Sequence, residues 1–183
     1  MLLENVTLCA IDSAQPILAK KAMERCKRQV DFGAEIFIDA NISSKQEYSK
    51  FVIYELYKYI TTDFVLLMQW DSWIIDKNVW NPRFLDYDYI GAVWPWHLEG
   101  FRVGNGGFSL RSKKLLELTH TDEFVYKDRN EDDLICHTNR DYLVRNGVRF
   151  APEELARQFS YERELSNVPS FGFHGEYNMD KHL

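Results

Sequence analysis

Short apolar runs alternate with amphipathic stretches through the first half of the chain. Val6-Thr7-Leu8-Cys9-Ala10-Ile11 is apolar almost throughout and stops at Asp12-Ser13; a segment of good helix formers then runs from Gln15 to Gln29, with Pro16 near its start. Strand, cap and helix are predicted in that order. Ala34-Glu35-Ile36-Phe37-Ile38 predicts a second strand, ended by Asp39. Ser44 and Glu47 stand at capping-box spacing, and Tyr48, Phe51, Val52, Leu56, Tyr59 and Ile60 recur at helical intervals. That pattern predicts one long amphipathic helix. Phe64-Val65-Leu66-Leu67-Met68 has no polar face, which predicts a strand covered on both sides, stopping at Gln69-Trp70-Asp71. Tyr89-Ile90-Gly91-Ala92-Val93 is a further strand candidate.

This alternation predicts an α/β fold with a mixed, mostly parallel central sheet flanked by helices, in which ligands bind at the carboxyl ends of the strands. Asp12, Asp39 and Asp71 each stand at such an end. The second half is less regular. Gly104-Asn105-Gly106-Gly107 interrupts the chain before Phe108-Ser109-Leu110-Arg111, a short helix is predicted over Lys113 to Leu118, and Asn130 is placed to cap a helix from Glu131 to about Asn146, stopped by Gly147. Val148-Arg149-Phe150-Ala151 reads as a late strand, and the tail after Pro169 as a loop that folds back on the body. No repeat, low-complexity tract or linker divides the 183 residues, so one domain is expected, with 169–183 closing over the site.

A formal net charge of -6 argues against a partner held by neutralising phosphates, nucleic acid above all. Cys9, Cys26 and Cys136 are odd in number and lack CxxC spacing, which predicts reduced thiols rather than a disulfide framework or a zinc site. The N-terminus lacks a basic flank followed by a signal-length apolar run, and no stretch is long enough to span a membrane. A cytoplasmic protein is the expectation.

Two clusters carry candidate chemistry. Gln69-Trp70-Asp71-Ser72 follows a buried strand, where a carboxylate can hold a divalent cation against a diphosphate; Asp71 would serve equally to cap the next turn. Glu131-Asp132-Asp133 places three acids at a predicted helix start, where they complement the helix dipole, or where one of them removes a proton from an attacking hydroxyl. Gly106 and Gly107 allow close approach of a sugar or phosphate but also suit a bare turn. Trp94-Pro95-Trp96-His97 is either a sugar platform or packing, and His174 is a lone histidine in the tail.

Taken in order, Phe64 to Asp71, Asp88-Tyr89-Ile90-Gly91-Ala92, Gly104 to Arg111, Asn130-Glu131-Asp132-Asp133 and the late His174 resemble a GT-A glycosyltransferase. In particular they are similar to a family of bacterial and viral glycosyltransferase-like domains described only as a domain of unknown function. The resemblance runs from about Val6 to His174. It implies transfer of a hexose from a nucleotide sugar, a UDP-sugar first, to a glycan or other hydroxyl acceptor in carbohydrate biosynthesis, assisted by Mn²⁺ or Mg²⁺. The Asp-x-Asp motif of that fold is replaced here by Gln69-Trp70-Asp71, so the first Asp is missing. Asp71 is then the implied metal ligand, with His174 as the second. Asp132 is the implied base of an inverting displacement and Glu131 the residue orienting the acceptor. Asp12, Ser13, Asp39, Gln69, Trp70, Gly106 and Gly107 fall where the fold receives the nucleotide sugar. A binding module without turnover and a nucleotidyltransferase are the rival readings; the second lacks the Gly-rich, basic loop expected after its first strand.

Overall fold

The computed structural model describes residues 1–164 and 167–182. Its centre is a five-stranded sheet in the order β2-β1-β3-β6-β5, formed by β1 (Leu2–Ile11), β2 (Asp31–Ile38), β3 (Phe64–Met68), β5 (Tyr89–Ile90) and β6 (Phe108–Ser112). β1 pairs in parallel with both β2 and β3, while β6 runs antiparallel between β3 and β5, so four of the five strands share one direction.

The apolar runs explain why the sheet is covered on both faces. Side chains alternate along a strand, and in β3 Leu66 and Met68 enter one apolar cluster while Val65 and Leu67 enter another. β1 divides in the same way, with Val6, Leu8 and Ala10 on the first side and Cys9 and Ile11 on the second. The helix α1 (Pro16–Lys27) packs Ala19, Ala22, Met23 and Cys26 into the first cluster, and α2 (Lys45–Tyr54) packs Val52 into the second. A smaller sheet in the order β4-β8-β7 joins β4 (Ser72–Ile74), β7 (Ser160–Tyr161) and β8 (Gly172–His174) beside the carboxyl end of β3.

Several predicted elements differ. The helix after Ser44 stops at Tyr54 and continues as a single 3-10 turn, Leu56–Lys58. Ser44 Oγ does accept the Glu47 N–H, but the Glu47 carboxylate turns to Ser43 instead of closing the box. α3 (Lys113–Thr119) follows β6 as predicted, capped by Ser112. The helix expected over Glu131 to Asn146 is broken into α4 (Glu131–Asp133), a π-helical stretch Leu134–Thr138 and α5 (Arg140–Arg145). The cause is Asn139, whose N–H reaches back to Leu134 O and whose carboxamide bonds both backbone groups of Val125, drawing the chain wider than an α-turn. Asn130 makes no side-chain cap.

Val148 to Ala151 is not a strand: Phe150 makes one bridge to Tyr89, and Pro152 leads directly into α6 (Glu153–Phe159). The tail is not a loop either. Phe173 pairs with Trp73 and Tyr161 in the small sheet, and α7 (Glu176–Met179) follows, its buried Asn178 donating to the carbonyls of Glu162 and His174. The tail therefore forms part of the wall beside β3. No helix among the described residues is long and apolar enough to cross a membrane.

Candidate active site

A cavity of about 730 Å³ opens at the carboxyl end of β3, where the chain leaves the buried sheet. Gln69, His174 and Glu162, the glycines Gly106 and Gly107, the acids Glu131, Asp132 and Asp133, and the aromatic rings of Trp94, Trp96 and His97 line it. Lys45, Arg129 and Arg163 also line it.

The glycines are required by close approach. A Cβ on Gly107 would run into the His174 ring, and one on Gly106 into Glu131 and Arg111. The left-handed residue of the turn is Asn105, at φ 53°. Its Nδ2 donates to Glu162 Oε2 at 2.8 Å, drawing Glu162 toward the histidine.

His174 is brought to the cavity by β8 and lies between two carboxylates, with Nε2 3.4 Å from Asp71 Oδ1 and Nδ1 3.5 Å from Glu162 Oε1. Nε2 also stands 3.1 Å from Gln69 Oε1. Burial disfavours the charged ring, but the two carboxylates outweigh it and push His174 up to about 9. Asp71 and Glu162 are correspondingly held below the ordinary carboxylate range by the histidine, against the effect of their own burial. Asp71 stands behind His174 and does not line the cavity, and its Oδ1 is buried with no hydrogen bond among the described residues.

The three acids of α4 occupy three different environments. Glu131 is buried and pairs with Arg111 at 2.8 Å. Asp133 accepts from Arg129 at 2.9 Å and faces His137 at 3.0 Å; these partners outweigh its burial and lower its pKa. Asp132 has no cationic side-chain partner among the described residues. Its Oδ2 accepts the Gly106 N–H and its Oδ1 the Asp133 N–H, each at 2.9 Å. Burial first, and then the neighbouring Glu131 charge, push it up to about 6, against the pull of the two backbone N–H groups and Arg111. A carboxyl pushed up to about 6 beside Asp133, which its cationic partners hold low, is the separation that marks an acid–base group.

The other predicted residues lie elsewhere. Asp12 caps the turn into α1 through the N–H groups of Ala14 and Gln15, and Ser13 donates to Asp39 at 2.8 Å, so the three form a loop network apart from the cavity. Trp70 packs against the main core and borders a separate depression with Tyr177 and Met179. The structure adds Glu162 and Arg111, for which the sequence offered only an acid before the tail and an arginine in the short run Phe108 to Ser112. Among the described residues no group of three or more His, Cys, Asp or Glu side chains is arranged to hold a metal ion.

The fold is shared with solved glycosyltransferases. A glycosyltransferase involved in the glycosylation of the major capsid of PBCV-1 superposes with a TM-score of 0.60 at 13% identity, covering 97% of each chain. The apo form of the glycosyltransferase GlyE of Streptococcus pneumoniae TIGR4 superposes with a TM-score of 0.51 at 14% identity, over 94% of this chain and 54% of that one. Comparison with curated proteins finds no match. These likenesses establish a GT-A type of fold. Residues 31–174 match the family described as "Protein of unknown function (DUF5672)", and the chain belongs to that family.

Proposed function

We propose that the protein is a glycosyltransferase that moves a sugar from a nucleotide-sugar donor to an acceptor hydroxyl with inversion, Asp132 serving as general base. The observation that carries this reading is the divergence of three adjacent acids: in a cavity on a glycosyltransferase fold, only Asp132 combines a carboxyl near neutral pKa with freedom from any cationic side chain. A base poised there is ionised at neutral pH yet basic enough to take a proton from an attacking hydroxyl, a contribution of about 10²–10⁴ in rate. The N–H groups of Gly106 and Asp133 fix the carboxylate's direction. Its proton would come from the acceptor oxygen as that oxygen bonds to the anomeric carbon and the nucleoside diphosphate leaves.

The cavity divides in keeping with this chemistry. Lys45, Arg129 and Arg163 carry positive charge into the cavity lining, where the diphosphate's oxygens would need it, and Trp96 and His97 offer flat ring faces to a sugar. Asp71 and His174 fit a divalent cation in one respect: the hydrogen-bond-free Asp71 Oδ1 lies 3.4 Å from His174 Nε2, which itself stands 3.1 Å from the Gln69 amide oxygen. Asp71 and His174 would hold Mn²⁺ or Mg²⁺ there, after loss of the Nε2 proton. When bound, the ion supplies positive charge against a departing diphosphate.

Incubation with a panel of nucleotide sugars and simple glycosides tests the reading. A glycosyltransferase releases nucleoside diphosphate and forms a new glycoside of inverted configuration. Pyrophosphate release would identify a nucleotidyltransferase, and binding without product a module lacking turnover; either outcome would sink the proposal.

A further inference from the structure

Arg111, in β6, is the bulkiest of the fully buried side chains, at 0% exposure. A buried guanidinium needs a counter-charge, and apolar residues of similar volume commonly serve stability as well or better. Here the guanidinium stands 5.3 Å from the centre of the Tyr89 ring, its Nη1 has no hydrogen bond among the described residues, and its charged partner is Glu131 of the cavity. Nη2 donates to Glu131 Oε1 at 2.8 Å and approaches Gly106 O at 3.5 Å, and Nε donates to Ser109 Oγ at 3.0 Å. Ser109 Oγ donates in turn to Gly106 O at 3.1 Å.

This arrangement grips Asp132 from two directions. Glu131 is its chain neighbour, and Glu131 N donates to the buried Ser49 Oγ at 3.1 Å, which fixes the start of α4. Gly106 turns its carbonyl to Arg111 and Ser109 and its N–H to Asp132 Oδ2. The ion pair is also why residue 106 has no side chain, since a Cβ would intrude on both partners. β6, hydrogen-bonded to β3 on one side and β5 on the other, gives Arg111 a rigid base.

We propose that Arg111 is a positioning residue: by pairing with Glu131 and holding Gly106 it leaves Asp132 as the one carboxylate of the pair that exchanges the acceptor's proton. The inference rests on the reading of Asp132 as the base. Two neighbouring buried carboxylates with no counter-ion share one proton between them and titrate as a unit. A guanidinium committed to Glu131 gives that carboxylate its counter-charge and leaves Asp132, held by backbone N–H groups alone, as the member of the pair without one. Glu131 then raises the basicity of Asp132 and Arg111 moderates it.

The experiment is direct titration of Asp132 by carbon NMR of protein labelled at the aspartate carboxyl carbon, with the resonance assigned by Asp132→Asn. Three proteins are compared: wild type, Glu131→Gln, and the charge-free double variant Arg111→Met/Glu131→Gln. The account predicts the highest midpoint in wild type, an intermediate one in the double variant, and the lowest in Glu131→Gln, where the arginine acts unopposed. The last two should differ by on the order of one pH unit. Coincident midpoints in those two would overturn the proposal, because a purely structural arginine leaves the titration of Asp132 where it is. Because the double variant buries no unpaired charge, the comparison does not depend on Arg111→Met folding alone. Turnover separates this inference from the reading beneath it. Inactive Asp132→Asn with coincident midpoints refutes the arginine's role alone, whereas active Asp132→Asn refutes the base assignment and the inference with it.

Discussion

Replacing Gly106 by alanine places a methyl group inside the best-defined polar contact of the site. The new Cβ would lie 2.8 Å from Arg111 Nη2 and closer still to Glu131 Oε1. Both atoms end flexible side chains, but neither has room to retreat, since Arg111 is 0% exposed and the Glu131 side chain 6%. Overpacking of this kind costs about 1–3 kcal/mol, and opening a buried ion pair about 3–5 kcal/mol. Partial relaxation puts the expected loss at roughly 2–4 kcal/mol, against a gain of at most about 1 kcal/mol from the stiffer unfolded chain. Urea denaturation measures it, with an unchanged m-value as the check that the folded state is the same. A cycle with Glu131→Ala isolates the cause: truncation makes room for the methyl group, so the double variant should cost less than the sum of the singles by about 1 kcal/mol or more. Strict additivity, or an alanine variant within about 0.5 kcal/mol of wild type, would refute the steric argument.

Two further predictions concern stability. A histidine whose folded pKa is raised to about 9 contributes its full stabilisation below its unfolded value and loses it as pH rises through 9. The shift from about 6.5 corresponds to roughly 3 kcal/mol, counted once for the whole Asp71–His174–Glu162 cluster. Denaturation midpoints measured at about pH 6 and pH 10 should therefore fall in wild type by an amount that His174→Gln does not show; equal falls in both would contradict the ion-pair geometry. Asp12→Ala removes the acceptor for the Ala14 and Gln15 N–H groups in the turn that leads into α1 and should cost about 1 kcal/mol in the same assay.

The sheet was legible because burial leaves a direct imprint on sequence. Val65 to Met68 must face apolar neighbours on both sides, and only a central strand of this length meets that requirement. The breaks in the second half were not legible, because tertiary contacts rather than local preference decide them. Asn139 widens its helix only since Val125 lies within reach, and Gly172 to His174 become a strand only because Ser72 to Ile74 offer an edge. At the site, the block from Glu131 to Asp133 could be located but not resolved into roles. The partners that distinguish its members are an arginine twenty residues before Glu131 and a glycine further back still. The strand-end rule that picked Asp71 also picked Asp12 and Asp39. It locates the carboxyl ends of strands without saying which loops border the cavity.

The most direct test of the central claim is a paired measurement on Asp132→Asn: donor binding by calorimetry, and turnover of whichever nucleotide sugar the wild type uses. The amide keeps the size of the side chain and can still accept one backbone N–H, but it cannot take a proton. Donor affinity within a few fold of wild type, with turnover reduced by about 10²–10⁴, is the predicted result. Turnover at the wild-type rate would contradict the account, leaving the acid of α4 as a structural feature of a glycosyltransferase fold whose chemistry lies elsewhere.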